Sequence, residues 1–198
     1  HEVLGVYLTK HPLDKYTDEL RAFTTAKTTQ VGEIEPGIRV TIGGLVTRRK
    51  ILRDKNIAFF TVEDYSGSCE VVIFLNLFKE ELLQADEVLI KGRIDLRNDS
   101  KSLVAEEILP LQEVREKLVR GIKVILNSVG LVNEDLKKLK KIITSKPGKY
   151  DLFIELVSNG KKYLLKSRSI KVNPTRKLMS ELKSLVGNEN VTLCGVKL

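Results

Sequence analysis

Residues 36–110 decide the fold. They hold five segments of strand character: IRVTIGGLVTRRKILR (38–53), NIAFFTVED (56–64), GSCEVVIF (67–74), DEVLIKGRIDLR (86–97) and SLVAEEILP (102–110). A stretch with helical periodicity, LNLFKEELLQ (75–84), separates the third segment from the fourth. Strands repeated at this spacing, with turn residues between them, predict a small antiparallel barrel of five strands with one inserted helix.

Alternation of residues within the segments predicts which side chains face the barrel interior. In the second segment Ala58, Phe60 and Val62 fall on the interior face and Phe59 on the outer face. An outward Phe59 could stack a base, or it could pack on a neighbouring strand or on the inserted helix, and both interpretations stay open. Gly43 and Gly44 interrupt the first segment and predict a sharp bend there.

The basic residues of this stretch gather in two places, at the loop between the first two strands and around the loop between the last two. A five-stranded barrel with a helix between strands three and four is the OB architecture, in which loops at these places border a groove for single strands. The predicted nucleic-acid-binding residues are Arg48, Arg49, Lys50, Arg53, Lys55 and Phe59 on one side, and Arg93, Arg97 and Lys101 on the other.

The net charge of +8 is unevenly distributed along the chain. Residues 1–35 hold 4 Lys/Arg against 6 Asp/Glu, residues 36–110 hold 11 against 12, and residues 111–198 hold 19 against 8. The excess therefore lies outside the predicted barrel, where it would attract phosphates or an acidic partner. Within the barrel the same count favours a local groove over a broad cationic surface.

Several classes of function are not expected. No apolar run reaches the 18 or so residues of a membrane span, and no catalytic residues, metal site, cofactor motif or small-molecule substrate site is predicted. Cys69 and Cys194 are far apart, which favours reduced thiols and a cytoplasmic location. His11 lacks a metal or triad partner and is interpreted as structural. The chain begins with His1 without a signal-peptide pattern, so we interpret it as part of a longer protein.

A resemblance to a known family rests on two motifs. The pattern GLV, FFTVEDYSGSCEVVIF and VLIKGRI (44–46, 59–74 and 88–94) resembles the nucleic-acid-binding OB domain shared by class II tRNA synthetases and bacterial replicative polymerases. Upstream, LGVYLTKHPLDKY (4–16) resembles the segment that precedes this domain in the alpha subunit of bacterial DNA polymerase III. The two motifs stand in the order and spacing of that family.

The resemblance implies the C-terminal part of such an alpha subunit, without the polymerase active site. The parent chain would be a DNA-directed DNA polymerase, a nucleotidyltransferase. In the family the OB domain contacts single-stranded template DNA and the last domain binds the clamp-loader tau subunit, alongside other replisome subunits. Residues 189–194 lack the glutamine and the aromatic residue of a clamp-binding peptide, so clamp binding is not expected there.

The rest of the chain predicts a second domain over residues 121–198, after a helical segment and linker (1–35), the OB domain (36–110) and a connecting helix (111–120). Its predicted order is βαββαβ, an α/β sandwich that is ferredoxin-like or a related split form, so the whole chain is α+β. Asn133 and Asn173 are the predicted helix caps, and Asn159-Gly160 predicts a hairpin.

The first helix of this domain carries a basic face, with Leu136, Leu139, Ile142 and Ile143 turned inward. That face is either solvated, or docks an acidic partner surface, or binds phosphates. The predicted partner-binding residues are Lys137, Lys138, Lys140 and Lys141.

Two alternatives to the polymerase hypothesis remain open on the sequence. The barrel could be an assembly module with no useful affinity for nucleic acid, which suits its near-zero net charge. It could also be an anticodon-binding piece of a tRNA synthetase, which explains the barrel but neither the HPLD segment nor the tail.

Overall fold

The computed structural model describes residues 11–97, 99–129, 132–196 and 198. The predicted helical start over residues 1–10 lies outside the described residues. The described residues divide into two compact units, with the boundary in the chain between Val114 and Arg115. No helix among the described residues is both long enough and apolar enough to cross a bilayer.

The first unit is built on a closed barrel of five strands in the order β1-β2-β3-β5-β4, so the prediction of a five-stranded barrel is confirmed. One pair, β3 with β5, is parallel, whereas an all-antiparallel barrel was predicted. The reason is that β5 returns beside β3 only after the chain has crossed the barrel and run up β4. The strands are β1 Arg39–Leu52, β2 Ile57–Asp64, β3 Gly67–Phe74, β4 Glu87–Arg97 and β5 Ser100–Pro110.

The barrel interior is formed by the residues that alternation selected. Ala58, Phe60 and Val62 of β2 are at most 1% exposed, and they pack with Ile42 of β1 and Ile90 of β4 in one apolar core. Ile38, although apolar, is 51% exposed, because β1 begins only at the following residue.

The segment between β3 and β4 is less helical than predicted. A single helix over 75–84 was expected, but the structure has a 3-10 turn at Leu75–Leu77 and a short α2 at Glu80–Leu83. Phe78 and Lys79 between them are extended. A helix this short is not stable by itself, and burial of its apolar side chains decides the conformation. Leu83 enters the core at this end of the barrel.

The linker that leads into the barrel contributes to the barrel core. A 3-10 turn at Thr28–Gly32 places Val31 in the core at the other end of the barrel. Thr28 is 1% exposed, and its hydroxyl lies 2.8 Å from a carboxylate oxygen of Asp64 and 2.8 Å from the Gly67 carbonyl, two acceptors that share its single proton. Because these bonds are not periodic in sequence, no pattern indicated them.

The HPLDKY segment is attached to the same unit. A 3-10 helix over Pro12–Tyr16 precedes α1 at Thr17–Phe23. The His11 Nδ1 accepts a hydrogen bond from the Leu13 amide at 3.2 Å, which is a structural role. Leu13 and Tyr16 are buried, so the segment contributes apolar anchors to the unit.

The second unit holds a four-stranded sheet with two helices that contact each other. Helix α3 (Leu111–Lys117) precedes it. Its elements are β6 Val119–Asn127, α4 Asn133–Thr144, β7 Pro147–Ser158, β8 Lys161–Val172, α5 Arg176–Val186 and β9 Val191–Gly195.

The sheet order is β8-β7-β6-β9, and β6 and β7 are adjacent and parallel. The prediction of a ferredoxin-like, split βαβ connection is therefore wrong, because no strand lies between the two strands that α4 joins. A two-layer sandwich of these elements stays a prediction. The Asn159-Gly160 hairpin is present, with φ of 49° and 72°.

Both predicted helix caps are displaced. The cap of α5 is Thr175, whose hydroxyl accepts from the Leu178 amide at 3.2 Å, two residues after the predicted Asn173. Helix α4 begins at Asn133 itself and has no side-chain cap. Of its four predicted inward residues only Leu139 and Ile143 are buried, while Leu136 is 40% exposed.

We expect Gly44→Ala to destabilise the barrel far more than Gly43→Ala. A Cβ on Gly44 would lie 2.4 Å from the carbonyl oxygen of Glu63, which is backbone and cannot move without breaking β1–β2 pairing. A Cβ on Gly43 meets the tip of Leu20 at 2.3 Å, a side chain that can turn aside. Overpacking at Gly44 should cost about 3 kcal/mol of unfolding free energy and at Gly43 about 1 kcal/mol. Urea titration monitored by hydrogen exchange of the β2 amides measures the loss of unfolding free energy in each variant. Equal losses would contradict the close backbone contact at Gly44.

Candidate nucleic-acid interface

A β-bulge in β1 sets the geometry of the candidate interface. The register with β2 shifts between Val46 and Arg48, so that Arg48 pairs with Thr61 and Lys50 with Phe59. Because Phe60 and its alternate neighbours face the interior, Lys50 and Phe59 lie side by side on the outer surface of the barrel.

A row of register partners continues across this surface. Phe59 pairs with Val72 of β3, Val72 with Val104 of β5, and Val104 with Arg93 of β4. Lys50 and Arg93 are exposed, Phe59 is half-buried and Val72 is buried. We call Lys50, Phe59, Val72, Val104 and Arg93 the central row. It has an apolar middle and a cation at each end.

The two predicted basic loops lie at opposite ends of the β2–β3 surface. The β1–β2 loop, a turn at Arg53–Lys55, adjoins the paired residues Ile57 and Phe74. The β4–β5 loop leads into β5, which runs parallel to β3, so this loop lies near the first residues of β3. About six residues of β3, roughly 20 Å, separate the position of one loop from that of the other. The loops therefore bound the surface that the central row crosses.

Arg49 is the predicted site residue that the bulge removes from this surface. It pairs with Phe60, and its guanidinium lies 5.5 Å from the ring of that buried residue. Its Nε donates to the Leu83 carbonyl at 3.1 Å, and its Nη2 donates to the Ala85 carbonyl at 2.7 Å and to Asp86 at 2.9 Å. Arg49 thus holds the β3–β4 segment against the barrel end, and its donors are engaged within the protein.

Two more predicted cations have carboxylate partners. Arg53 pairs with Glu80 at 2.8 Å, a hydrogen bond that raises the pKa of Arg53, and Arg97 pairs with Asp95 at 2.9 Å. Both arginines are largely exposed. Exposed pairs of this kind are weak and open to exchange with other anions. Arg48 and Lys55 are exposed and Lys101 is half-buried.

Sequence reasoning missed Arg39 of β1. It is the strand register partner of Arg93, at the β4 end of the central row. Its Nε donates to Glu106 at 2.9 Å, and this bond lowers the pKa of the Glu106 carboxyl. Arg39 belongs to the first predicted strand segment, but its strand partner depends on the sheet order, which the sequence does not show. Two carboxylates, Glu63 and Glu70, also lie on the outward side of β2 and β3.

The Asp64 carboxylate has a structural role, because it accepts the hydrogen bonds that hold the β2–β3 turn. Burial opposes ionisation of Asp64, but hydrogen bonds from Ser66 and Thr28 outweigh it and lower the pKa of its carboxyl. Burial raises the pKa of the nearby Cys69 thiol to about 12, so it is protonated and unreactive at neutral pH. Both cysteines are free, and the described residues contain no cluster of metal-binding side chains.

The predicted partner-binding lysines lie together on α4 of the second unit. All four, Lys137, Lys138, Lys140 and Lys141, are exposed. No ion pair is found for them in the described part of the chain. The acidic residues of this helix, Glu134 and Asp135, stand in its first turn, so the basic face extends over the remaining turns.

The barrel coincides with a match to a known family. Residues 40–111 match the family model described as tRNA_anti-codon, an OB-fold nucleic acid binding domain. Over nearly its whole length the chain is similar to DNA polymerase III subunit alpha. It is 27% identical to that protein of Escherichia coli K12 over 203 residues, covering 97% of this chain and 18% of the relative. The Pseudomonas aeruginosa protein is 28% identical over 202 residues, covering 97% and 17%.

The chain thus spans less than a fifth of the length of these relatives. Among solved structures, asparaginyl-tRNA synthetase from Pyrococcus horikoshii is 17% identical, covers 42% of this chain and 22% of its own, and has a TM-score of 0.37.

We expect Arg49→Leu to destabilise the first unit and Arg48→Leu to leave it stable. The two arginines are neighbours of identical type, but only Arg49 donates to the Leu83 and Ala85 carbonyls. Losing charge-assisted bonds to half-buried acceptors should cost about 2 kcal/mol of unfolding free energy. Urea unfolding of both variants measures the difference. A destabilised Arg48→Leu with an unaffected Arg49→Leu would place the bulge one residue away.

Proposed function

We propose that this chain is a non-catalytic, nucleic-acid- and protein-binding region of a DNA polymerase III alpha subunit, working in the cytoplasm. The observation that carries the proposal is the coincidence of two features. Similarity to alpha subunits extends over 97% of the chain, and its OB barrel presents cations on both sides of an apolar row. Polymerisation itself would belong to other parts of the parent protein. The domain bounds 36–110 and 121–198 are retained as part of the proposal.

Single-stranded template would lie across β2 and β3, between the two loops. Lys50 and Arg48 stand beside Phe59 and Thr61 on this surface, so they would contact phosphates while Phe59 stacks one base. Lys55 would act from one loop. Arg93, Arg97 and Lys101 would act at the other side of the groove.

The arginines that bond to other groups of the protein have different roles in this proposal. Arg53 and Arg97 would exchange their exposed carboxylate partners for phosphates, since the pairs are solvated on both sides. Arg49 would position the barrel end without contacting DNA. Because Phe59 is half-buried, stacking would contribute little, and affinity should depend mainly on charge. Binding would then be insensitive to sequence and steeply dependent on salt.

The second unit would bind another replisome subunit, in particular the tau subunit of the clamp loader. Support comes from the four exposed lysines of α4 and from the excess of 19 Lys/Arg over 8 Asp/Glu in residues 111–198. The lysines have no aromatic side chain among them to stack bases, so an acidic protein surface suits them better than a nucleic acid.

A specific observation also favours a second function for the barrel, that of an assembly module. Arg49, Arg53 and Arg97 are all engaged with groups of the protein, and Glu63 and Glu70 share the outer surface with Lys50. An anticodon-binding role accounts for the barrel alone, whereas the similarity to alpha subunits includes the second unit as well.

We expect the triple variant Arg48→Ala, Lys50→Ala, Lys55→Ala to bind single-stranded DNA at least about tenfold more weakly at low salt, because about three phosphate contacts are lost. The slope of log affinity against log salt should fall by about two, at roughly 0.7 per phosphate. Fluorescence anisotropy with labelled oligothymidylate, at several salt concentrations, measures both quantities.

The matched control is Lys137→Ala, Lys138→Ala, Lys141→Ala, which removes the same three charges from the second unit. It should leave DNA affinity within about twofold, because these lysines are not part of the proposed groove and would act on DNA only through a field that salt screens. Equal losses in the two triples would mean that only a general field attracts DNA. No loss in either would favour the assembly module.

The same two triple variants test the proposed binding of tau, and here the variant on α4 is the one that should lose affinity. The triple on α4 should weaken capture of the clamp-loader tau subunit about tenfold, because three charges facing an acidic surface are removed. The barrel triple should leave tau binding unchanged. Surface plasmon resonance with immobilised tau measures both. Retention of full tau affinity by the α4 triple would remove this helix from the proposed interface.

A further inference from the structure

Strand β8 is an open edge of the second sheet. In the order β8-β7-β6-β9 it has a strand on one side only, among the described residues. All six residues from Lys161 to Lys166 are exposed. Their middle is apolar, with Tyr163 49%, Leu164 62% and Leu165 55% exposed. Edge strands that are long, exposed and apolar readily pair with another strand, and proteins normally protect them.

The hairpin geometry shows which backbone groups this edge offers. Asn159 and Gly160 form a two-residue loop with positive φ, so Ser158 and Lys161 face each other as a hydrogen-bonded pair. Pairs then alternate along the ladder. Tyr163 and Leu165 therefore bond to β7, whereas the N–H and C=O groups of Lys162, Leu164 and Lys166 point away from the sheet.

The open segment has definite limits. Beyond Lys166 the register with β7 shifts, and the Ser167 hydroxyl accepts from the Ile170 amide at 3.0 Å, so the regular edge ends there. Val172 at the far end of β8 is buried, and α4 contacts this strand. The unprotected stretch is thus residues 161–166, about 20 Å long, which suits a short peptide strand.

Charge decides what kind of strand can pair here. Residues 161–172 include five Lys or Arg and no Asp or Glu. Two carboxylates of β7 pair with three of these cations: Asp151 lies 2.7 Å from Lys166 and 3.0 Å from Lys171, and Glu155 lies 3.7 Å from Lys162. Two carboxylates do not neutralise five cations. A second copy of β8 would bring like charges face to face, which is unfavourable across strands.

We propose that β8 is a docking edge for an extended acidic segment of a partner protein, which adds a fifth strand to the sheet by β-augmentation. An antiparallel segment would place apolar residues opposite Tyr163, Leu164 and Leu165. It would place carboxylates opposite Lys161, Lys162 and Lys166. The recognised pattern, from N to C terminus, is acidic, three apolar residues, then two acidic residues.

This inference uses neither DNA binding nor the lysines of α4, so its outcome is separable from that of the proposed function. The test is a titration of the full chain with the synthetic peptide Asp-Val-Ile-Val-Glu-Glu, capped at both ends, monitored by amide hydrogen exchange. Binding should slow exchange at Lys162, Leu164 and Lys166. Tyr163 and Leu165, already bonded to β7, should change little.

Two variants support the test. Leu164→Pro removes one outward N–H without removing a bond to β7, and should weaken the peptide about tenfold or more. The double variant Lys161→Glu, Lys162→Glu should weaken the acidic peptide and favour a matching peptide with Lys in place of Asp and Glu. Protection that is uniform along β8, or equal affinity for the acidic and basic peptides, would overturn the proposal. The proposal would also be overturned if the same alternating protection appeared without peptide as the concentration of the chain was raised. That result would identify a second copy of the chain as the occupant.

Discussion

The first unit depends on the close approach of β1 to β2 at Gly44. This strand pairs with β4 along its first half and with β2 along its second half, so it must bend where the two halves meet. At the bend Gly44 lies so close to the Glu63 backbone that no side chain fits between them. The bulge that follows within four residues then fixes which of the basic residues face outward. The bend closes the barrel, and the bulge beside it determines the composition of the candidate interface.

The bulge also shows why sequence analysis succeeded for the fold and fell short for the site. Strand segments, interior residues and hairpin turns followed from alternation and from turn residues, which are local signals. Arg48, Arg49 and Lys50 form a uniform basic run, so no local signal indicates that the middle one turns inward to the Leu83 and Ala85 carbonyls. The same holds for Arg39, whose place beside Arg93 depends on the sheet order.

The second unit shows the corresponding limit for topology. The order of its helices and strands could be predicted, but not that β6 and β7 are neighbours, because several sheet orders satisfy the same βαββαβ sequence. The exposure of β8 follows from that order and from the position of α4. The two units thus present their cations on different kinds of surface. In the first, cations border an apolar row on a closed surface, and in the second they line an open edge and a helix.

The central claim is that single-stranded DNA lies across the outer surface of β2 and β3. The most direct measurement is ultraviolet cross-linking of the chain to an oligonucleotide carrying photoreactive thymidine analogues, with the linked peptides identified by mass spectrometry. The account predicts cross-links in residues 57–63 and 68–74, centred on Phe59, with further links in the two flanking loops. Cross-links confined to α4 or β8 would contradict it.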